Sequence, residues 1–308
     1  MCVCVCVYQR VLLSRVGLQN CQRASLKVRL QTSTLVRGVA CLDDDVARIY
    51  VVCRDCDTVA VFHATPPYEQ LRGIRVSGLR EPTDMAACDA NRILYVSDWA
   101  ERCVWQVTPG GKVDWRLPAW SPSRRKAAAV SPLSLSVRSG RLLVVQPDKV
   151  SMCNAHDERM EEIRFPESVT LHHAAETEHR SLVVALTDSG ADKSRGAIRE
   201  MKPDHSGDWI VVRELDLSSA LLHTPISEPR CMAWDSSGCL YVVADSSSRV
   251  LVVDDSLNVV RSVRLSKRSL PHRMCFLSRR GTPMLAADAG FSVNLYAGII
   301  PTLQYPMK

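Results

Sequence analysis

A pattern of short, valine-rich segments recurs along the chain about every 47 residues. The segments are spaced 45, 48, 40, 58 and 44 residues apart and centre on Val51, Val96, Val144, Val184, Val242 and Ala286. A turn and a short apolar segment precede each centre, and a third, alternating segment follows it. Repeats of about 40 to 50 residues that hold several strands each are typical of β-propellers. The sequence therefore predicts an all-β, six-bladed β-propeller with mostly four-stranded antiparallel blades.

The copies of the repeat differ in strength. Three copies match well, and they begin at Arg37, Pro82 and Pro229. Weaker copies begin at Pro132, near His172 and at Pro271. The segments are rich in Val and Tyr and are bounded by Asp, Ser, Gly and Pro, as strands and their turns usually are. The 58-residue interval predicts an insertion in the fourth blade, in the polar run 188–196.

The best copies resemble the NHL-repeat class of six-bladed propellers, and more weakly the YWTD class. The resemblance rests on Pro-x-x-Met-Ala starts, Leu-Tyr-Val strands and an Arg-Val-Leu-Val-Val-Asp run, which begin at Pro82, Pro229, Leu94, Leu240 and Arg249. It covers residues 36–298 and implies a fold that presents loops to partners. Because a fold of this kind carries no particular activity, we expect a non-catalytic binding scaffold.

The repeat divides the chain into three parts. Residues 1–25 are expected to be a low-complexity or disordered extension, residues 26–300 the propeller and residues 301–308 a C-terminal tail. A propeller needs its last blade closed, because an open edge strand is a liability. The segment Lys27–Leu35 alternates apolar and polar side chains, so we expect it to close blade six. The rival segment 299–303 contains Pro301, which disfavours a paired strand.

The net positive charge of the chain comes from its N-terminal segment. Residues 1–42 contain six basic and no acidic side chains, which leaves 33 basic and 33 acidic residues in the remainder. A neutral body gives no reason to expect a DNA or membrane partner. The Arg-rich, acid-free start also leaves a mitochondrial presequence open. No run of 18 apolar residues without a charged residue is present, which excludes a transmembrane helix by sequence.

Thirteen cysteines are distributed along the chain. Four of them fall at or beside the first strand of different repeats: Cys41, Cys88, Cys231 and Cys275. Buried cysteine packs as a small hydrophobic residue, and cysteines in different blades are expected to lie too far apart for disulfides. The sequence therefore predicts a reducing compartment, the cytoplasm.

Alignment of the repeats places polar residues at the mouth of the central channel. These candidates are Arg37, Asp84, Ser134, His173, Arg230 and either His272 or Arg273. Gluconolactonase-like propellers and peptide-amidating lyase domains hold metals with Glu, Asn, Asp or His residues there. This sequence offers one carboxylate, at most two His and no Asn. We therefore expect a polar, water-filled channel with no catalytic residue, metal or cofactor. A metal-dependent hydrolase or lyase is the alternative.

Basic residues lie among tryptophans between the second and third repeats. The candidate binding loop contains Trp115, Trp120, Arg124, Arg125 and Lys126. Aromatic and basic side chains together favour single-stranded nucleic acid, and some NHL propellers bind RNA on a basic face. Because the body of the chain is neutral, we expect a protein partner, with RNA as the alternative.

Overall fold

A computed structural model describes most of the propeller. The described residues are 22–32, 34–42, 47–111, 113–117, 132–154, 157–190, 194–218, 226–235, 238–244, 248–265, 271–277, 284–288 and 290–297. Two strands precede the first blade: β1 (Gln22–Arg23) and β2 (Ser25–Gln31). Blade 1 contains β3 (Val36–Leu42), β4 (Arg48–Cys53), β5 (Thr58–His63) and β6 (Gln70–Arg75). Blade 2 contains β7 (Pro82–Cys88), β8 (Ile93–Asp98), β9 (Cys103–Val107) and β10 (Val113–Leu117).

The next three blades repeat this arrangement. Blade 3 contains β11 (Ser134–Arg138), β12 (Arg141–Val145), β13 (Lys149–Asn154) and β14 (Asp157–Arg164). Blade 4 contains β15 (Val169–Glu176), β16 (Leu182–Asp188), β17 (Arg195–Pro203) and β18 (Trp209–Asp216). Blade 5 contains β19 (Pro229–Trp234), β20 (Leu240–Ala244), β21 (Arg249–Val253) and β22 (Val259–Arg264).

Blade 6 uses both ends of the propeller chain. Its inner three strands are β23 (Met274–Leu277), β24 (Met284–Asp288) and β25 (Ser292–Ala297). The fourth strand is β2, which gives the sheet order β2-β25-β24-β23. Neighbouring strands within each of the six blades are antiparallel, and each blade's inner strand contacts the inner strands on either side of it. The predicted all-β, six-bladed propeller closed by an N-terminal strand is confirmed.

The closing strand begins and ends earlier than the sequence suggested. It spans Ser25–Gln31 rather than Lys27–Leu35, and it pairs with β25 through a register that joins Leu26 to Tyr296 and Leu30 to Val293. Leu30 is buried, whereas Leu26 is exposed. The short strand β1 lies in the segment assigned to the extension and pairs in parallel with β22, the outer strand of blade 5.

The core lies between the blades. The described residues form six clusters of buried hydrophobic side chains, one between each pair of neighbouring blades, including the pair formed by blades 6 and 1. Both faces of a blade are therefore covered, and five of six residues are buried in each of β4 and β8. Strands buried on both faces are continuously apolar, which explains the valine-rich runs. Within the described ranges no helix is long and apolar enough to cross a membrane.

Candidate functional site: the central cavity

The six inner strands surround a cavity of about 330 Å³ on the axis of the propeller. Residues from all six inner strands line it. The cavity is lined by residues at the ends of the inner strands, such as Arg138 and Glu176, so the strand starts do not form its mouth as the sequence suggested. We call the end where the inner strands begin the floor, and the end where they finish the mouth. Several of the channel candidates lie at the floor. The mouth is formed by residues that the sequence analysis did not single out.

Arg273 closes the floor of the cavity from blade 6. Its guanidinium Nη2 donates to the carbonyl of Leu133 at 2.7 Å, on the opposite blade. Its Nη1 donates to the carbonyl of His272 at 2.9 Å and, at 3.5 Å, to that of Arg230. One side chain therefore reaches carbonyls of blades 5 and 6 and the entry to blade 3. A cation is thus held across the axis.

Asp84 of blade 2 balances this cation. Its Oδ1 lies 2.8 Å from Arg273 Nε, an ion pair rather than a directed hydrogen bond. The carboxylate accepts hydrogen bonds from the backbone N–H groups of Met85 at 2.8 Å and Leu135 at 2.9 Å. Burial raises the pKa of Asp84, and the charge of Arg273 and these N–H donors oppose that rise. Asp84 is therefore already partnered within the protein by Arg273 and two backbone N–H groups.

His173 lies beside this ion pair and lines the cavity. Its side chain is 4% exposed, and its Nδ1 has no hydrogen-bond partner among the described residues. Burial, together with the charge of Arg273, lowers its pKa to about 3. The imidazole is therefore neutral at physiological pH.

Ser134 is buried within β11, and its side chain acts on the Asp84 carboxylate at the floor, where it lowers the pKa of Asp84. The side chains of the remaining channel candidates do not converge on the axis. Arg37 is partly exposed and is not part of the cavity lining. The Arg230 side chain pairs with Glu228 at 2.8 Å. His272 is 45% exposed, with Nδ1 3.7 Å from Asp288 Oδ2. The structure thus decides between the two alternatives in blade 6, placing Arg273 across the axis.

Acidic and aromatic side chains surround the mouth. Glu176 is 5% exposed; its Oε1 accepts from Arg141 at 2.7 Å, and its Oε2 has no partner in the described part of the chain. Burial raises the pKa of Glu176, and Arg141 partly offsets the rise. The guanidinium carbon of Arg138 lies over the Trp234 ring, 5.7 Å from the ring centroid. The indole Nε1 of Trp234 is buried and has no hydrogen-bond partner among the described residues. Asp89 and Asp235 complete the acidic set.

These mouth residues share a sequence position that could have identified them. Arg138, Glu176 and Trp234 are the last residues of their inner strands, and Asp235 follows directly. Residues near the starts of the inner strands, which the repeats predicted as channel candidates, lie at the floor. Residues at the ends of the same strands recur with the same repeat and form the mouth.

The cysteine prediction is wrong for one pair. The sulfur atoms of Cys41 and Cys275 lie 3.0 Å apart, although the residues belong to different blades. Blades 1 and 6 are neighbours in the closed ring, and near the axis their inner strands are in contact. Cys88 and Cys231 are buried as expected, and burial raises the pKa of Cys231 to about 12. The reducing compartment was inferred partly from the expectation that cysteines of different blades lie too far apart for disulfides. Cytoplasmic localisation therefore stays a prediction.

The candidate binding loop lies mostly outside the described residues. Trp115 belongs to β10, where its backbone pairs with Gln106 of β9. Trp120, Arg124, Arg125 and Lys126 fall outside the described ranges. The RNA alternative that depends on them stays a prediction. Among the residues that the structure does describe, no group of three or more His, Cys, Asp or Glu side chains could hold a metal ion.

The fold is similar to that of proteins with unrelated chemistry. Kuenenia stuttgartiensis hydrazine synthase aligns with a TM-score of 0.60 at 13% identity, over 88% of this chain and 98% of that one. Virginiamycin B lyase from Staphylococcus aureus aligns with a TM-score of 0.60 at 10% identity, over 89% of this chain and 99% of that one. No family model and no curated protein sequence matches the chain. Identities this low show the propeller fold alone.

Proposed function

We propose that this chain is a non-catalytic binding scaffold of the NHL-repeat type, and that a basic side chain of a protein partner enters the mouth of its central cavity. The observation that carries the proposal is the unpartnered Oε2 of Glu176. A buried carboxylate oxygen without a hydrogen bond costs free energy. A lysine or arginine that reached it would supply the missing hydrogen-bond donor.

The remaining lining suits the same side chain. Glu176, Asp89 and Asp235 outnumber Arg138 among the charged residues that line the cavity. The rings of Trp234 and Phe276 lie in the same wall, and aromatic faces attract cations as well as aliphatic stems. The acidic residues and the aromatic rings of the lining therefore favour an amphipathic cation over a phosphate.

The floor suits a scaffold better than a metal-dependent hydrolase or lyase. A divalent cation bound there would be repelled by Arg273, whose charge Asp84 already balances. The carboxylate of Asp84 therefore already has an ion partner, which disfavours its use as a metal ligand.

Calorimetric titration of the full chain tests the mouth with a defined probe. N-acetyl-arginine amide is the ligand, and N-acetyl-glutamine amide is the neutral control. We expect the arginine derivative alone to bind, and Glu176→Gln to weaken it about tenfold or more, because a hydrogen bond to a charged group contributes about 1.5–3 kcal/mol. Glu69→Gln, which changes an exposed carboxylate outside the cavity lining, should leave binding unchanged.

The RNA alternative is tested in the same instrument. An oligouridylate titrated at several salt concentrations should bind weakly or not at all if the mouth is the functional site. If it binds at physiological salt with a steep salt dependence, while the arginine derivative does not bind, the RNA alternative replaces our proposal. Equal binding of the arginine and glutamine derivatives would also contradict it.

A further inference from the structure

The geometry points to a redox modification site inside the cavity: Cys41 and Cys275 form a reversible disulfide that joins the first blade to the last. Their sulfur atoms are 3.0 Å apart. A disulfide bond is about 2.05 Å long, so the sulfurs must approach by about 1 Å. Nothing in the sequence predicted this pair, because the two residues are 234 positions apart.

A small oxidant can reach both sulfurs. Cys41 and Cys275 line the cavity and are partly exposed, whereas Cys88, Cys103 and Cys231 are buried. Thiol–disulfide exchange needs an accessible thiolate and an accessible disulfide. The cavity therefore selects this pair over the buried cysteines of the described chain.

The pair lies where the ring closes. Blades 6 and 1 are held together by the cluster that contains Leu30, Val39 and Ala286, and by β2, which leads directly into blade 1. These interactions are noncovalent except for the chain connection through β2. A bond between residues 41 and 275 would join the inner strands β3 and β23 and enclose blades 2 to 5 and most of blade 1 in one covalent loop. Constraining so long a loop in the unfolded chain stabilises the folded ring.

The reaction balances with a small-molecule disulfide such as oxidised glutathione as the oxidant. One cysteine thiolate attacks the oxidant, which forms a mixed disulfide and releases one glutathione thiol. The second cysteine thiolate then attacks the protein sulfur of the mixed disulfide, and the second glutathione leaves. The two cysteines lose two protons and two electrons, and the oxidant is reduced to two thiols. Dithiothreitol reverses both steps.

Peptide mapping of the full chain tests the bond without any substitution. The protein is equilibrated with oxidised glutathione, remaining thiols are alkylated, and the digest is analysed without reduction. We expect a cross-linked peptide pair that contains Cys41 and Cys275, lost after dithiothreitol treatment. Separate glutathione adducts or alkylation at both residues, with no cross-link, would overturn the inference.

Urea unfolding tests the consequence for the ring. The oxidised protein should unfold at a higher urea concentration than the reduced protein, and Cys41→Ser and Cys275→Ser should each abolish the difference. Cys239→Ser, a change at another partly exposed cysteine, is the matched control and should retain it. If either serine variant fails to fold, the alanine variant replaces it. A cross-linked protein with an unchanged midpoint would contradict the stabilising role. None of these readouts depends on ligand binding at the mouth.

Discussion

The guanidinium of Arg273 in blade 6 lies 2.8 Å from the carboxylate of Asp84 in blade 2, with blade 1 between them in the ring. Side-chain exposure is 14% for the arginine and 3% for the aspartate. The same arginine donates to the carbonyl of Leu133 at the entry to blade 3. Inner strands of non-adjacent blades are thus tied together across the axis by one buried cation.

Removal of this cation should destabilise the propeller strongly. Arg273→Met leaves Asp84 buried without its ion partner and frees the carbonyl of Leu133. Breaking a buried pair from one side costs about 3–5 kcal/mol, and we expect a loss of this size in the free energy of unfolding in urea. His272→Ala, at the adjacent half-exposed side chain, should cost less than about 1 kcal/mol. Similar losses in the two variants would show that the buried ion pair is not what stabilises the floor.

The neutral His173 should make the protein less stable in mild acid. In the folded protein its pKa is about 3, whereas in the unfolded chain it is near 6.5. Between these values the unfolded chain binds a proton that the folded protein does not, so stability falls as the pH drops below about 6.5. From pH 7 to pH 5 this residue should contribute a loss of about 2 kcal/mol.

Comparison with His173→Gln isolates this contribution. Other titrating groups affect the wild type and the variant alike, so the variant should lose about 2 kcal/mol less over the same pH interval. Unfolding curves in urea at pH 5, 6 and 7 measure the difference. Parallel pH profiles for the two proteins would mean that His173 is protonated in the folded state.

The propeller could be predicted from the sequence because its repeat is local. Tyr50, Tyr95 and Tyr241 occupy the same position of the second strand in three copies, and all three side chains are almost fully buried. Each blade covers its neighbours in the same way, so the same burial requirement recurs about every 47 residues. A single sequence then carries the pattern several times over.

The site was only partly predictable because it depends on how the ring closes. Alignment placed Asp84 and His173 near the axis, and the structure brings both to the floor. It could not show that the side chain of Arg273, rather than that of His272, reaches across the ring, since that depends on three-dimensional direction. Nor could it bring Cys41 and Cys275 together, because their proximity exists only once blade 6 packs against blade 1.

Truncation should separate the two N-terminal strands. Deletion of residues 1–21 removes none of the described strand pairs, so the melting temperature should stay the same. Deletion of residues 1–24 also removes β1 and should have a small effect, since β1 pairs only two residues with β22. Deletion of residues 1–31 removes β2, opens the edge of β25 and exposes the core around Leu30. That variant should lose several kcal/mol, and a melting temperature equal to that of the shortest deletion would contradict closure by β2.

The close packing of blades 1 and 2 should make Gly38 intolerant of a side chain. A Cβ atom at this position of β3 would lie 2.7 Å from the backbone nitrogen of Met85 and 2.9 Å from a methyl group of Val52. The backbone of β7 would have to move away from β3 to admit it, and overpacking of this kind costs about 1–3 kcal/mol. Gly110→Ala is the matched control, because the nearest atom to its added Cβ is 3.9 Å away. Urea unfolding of both variants should show a loss for Gly38→Ala alone, and equal midpoints would mean that the inner strands can separate without cost.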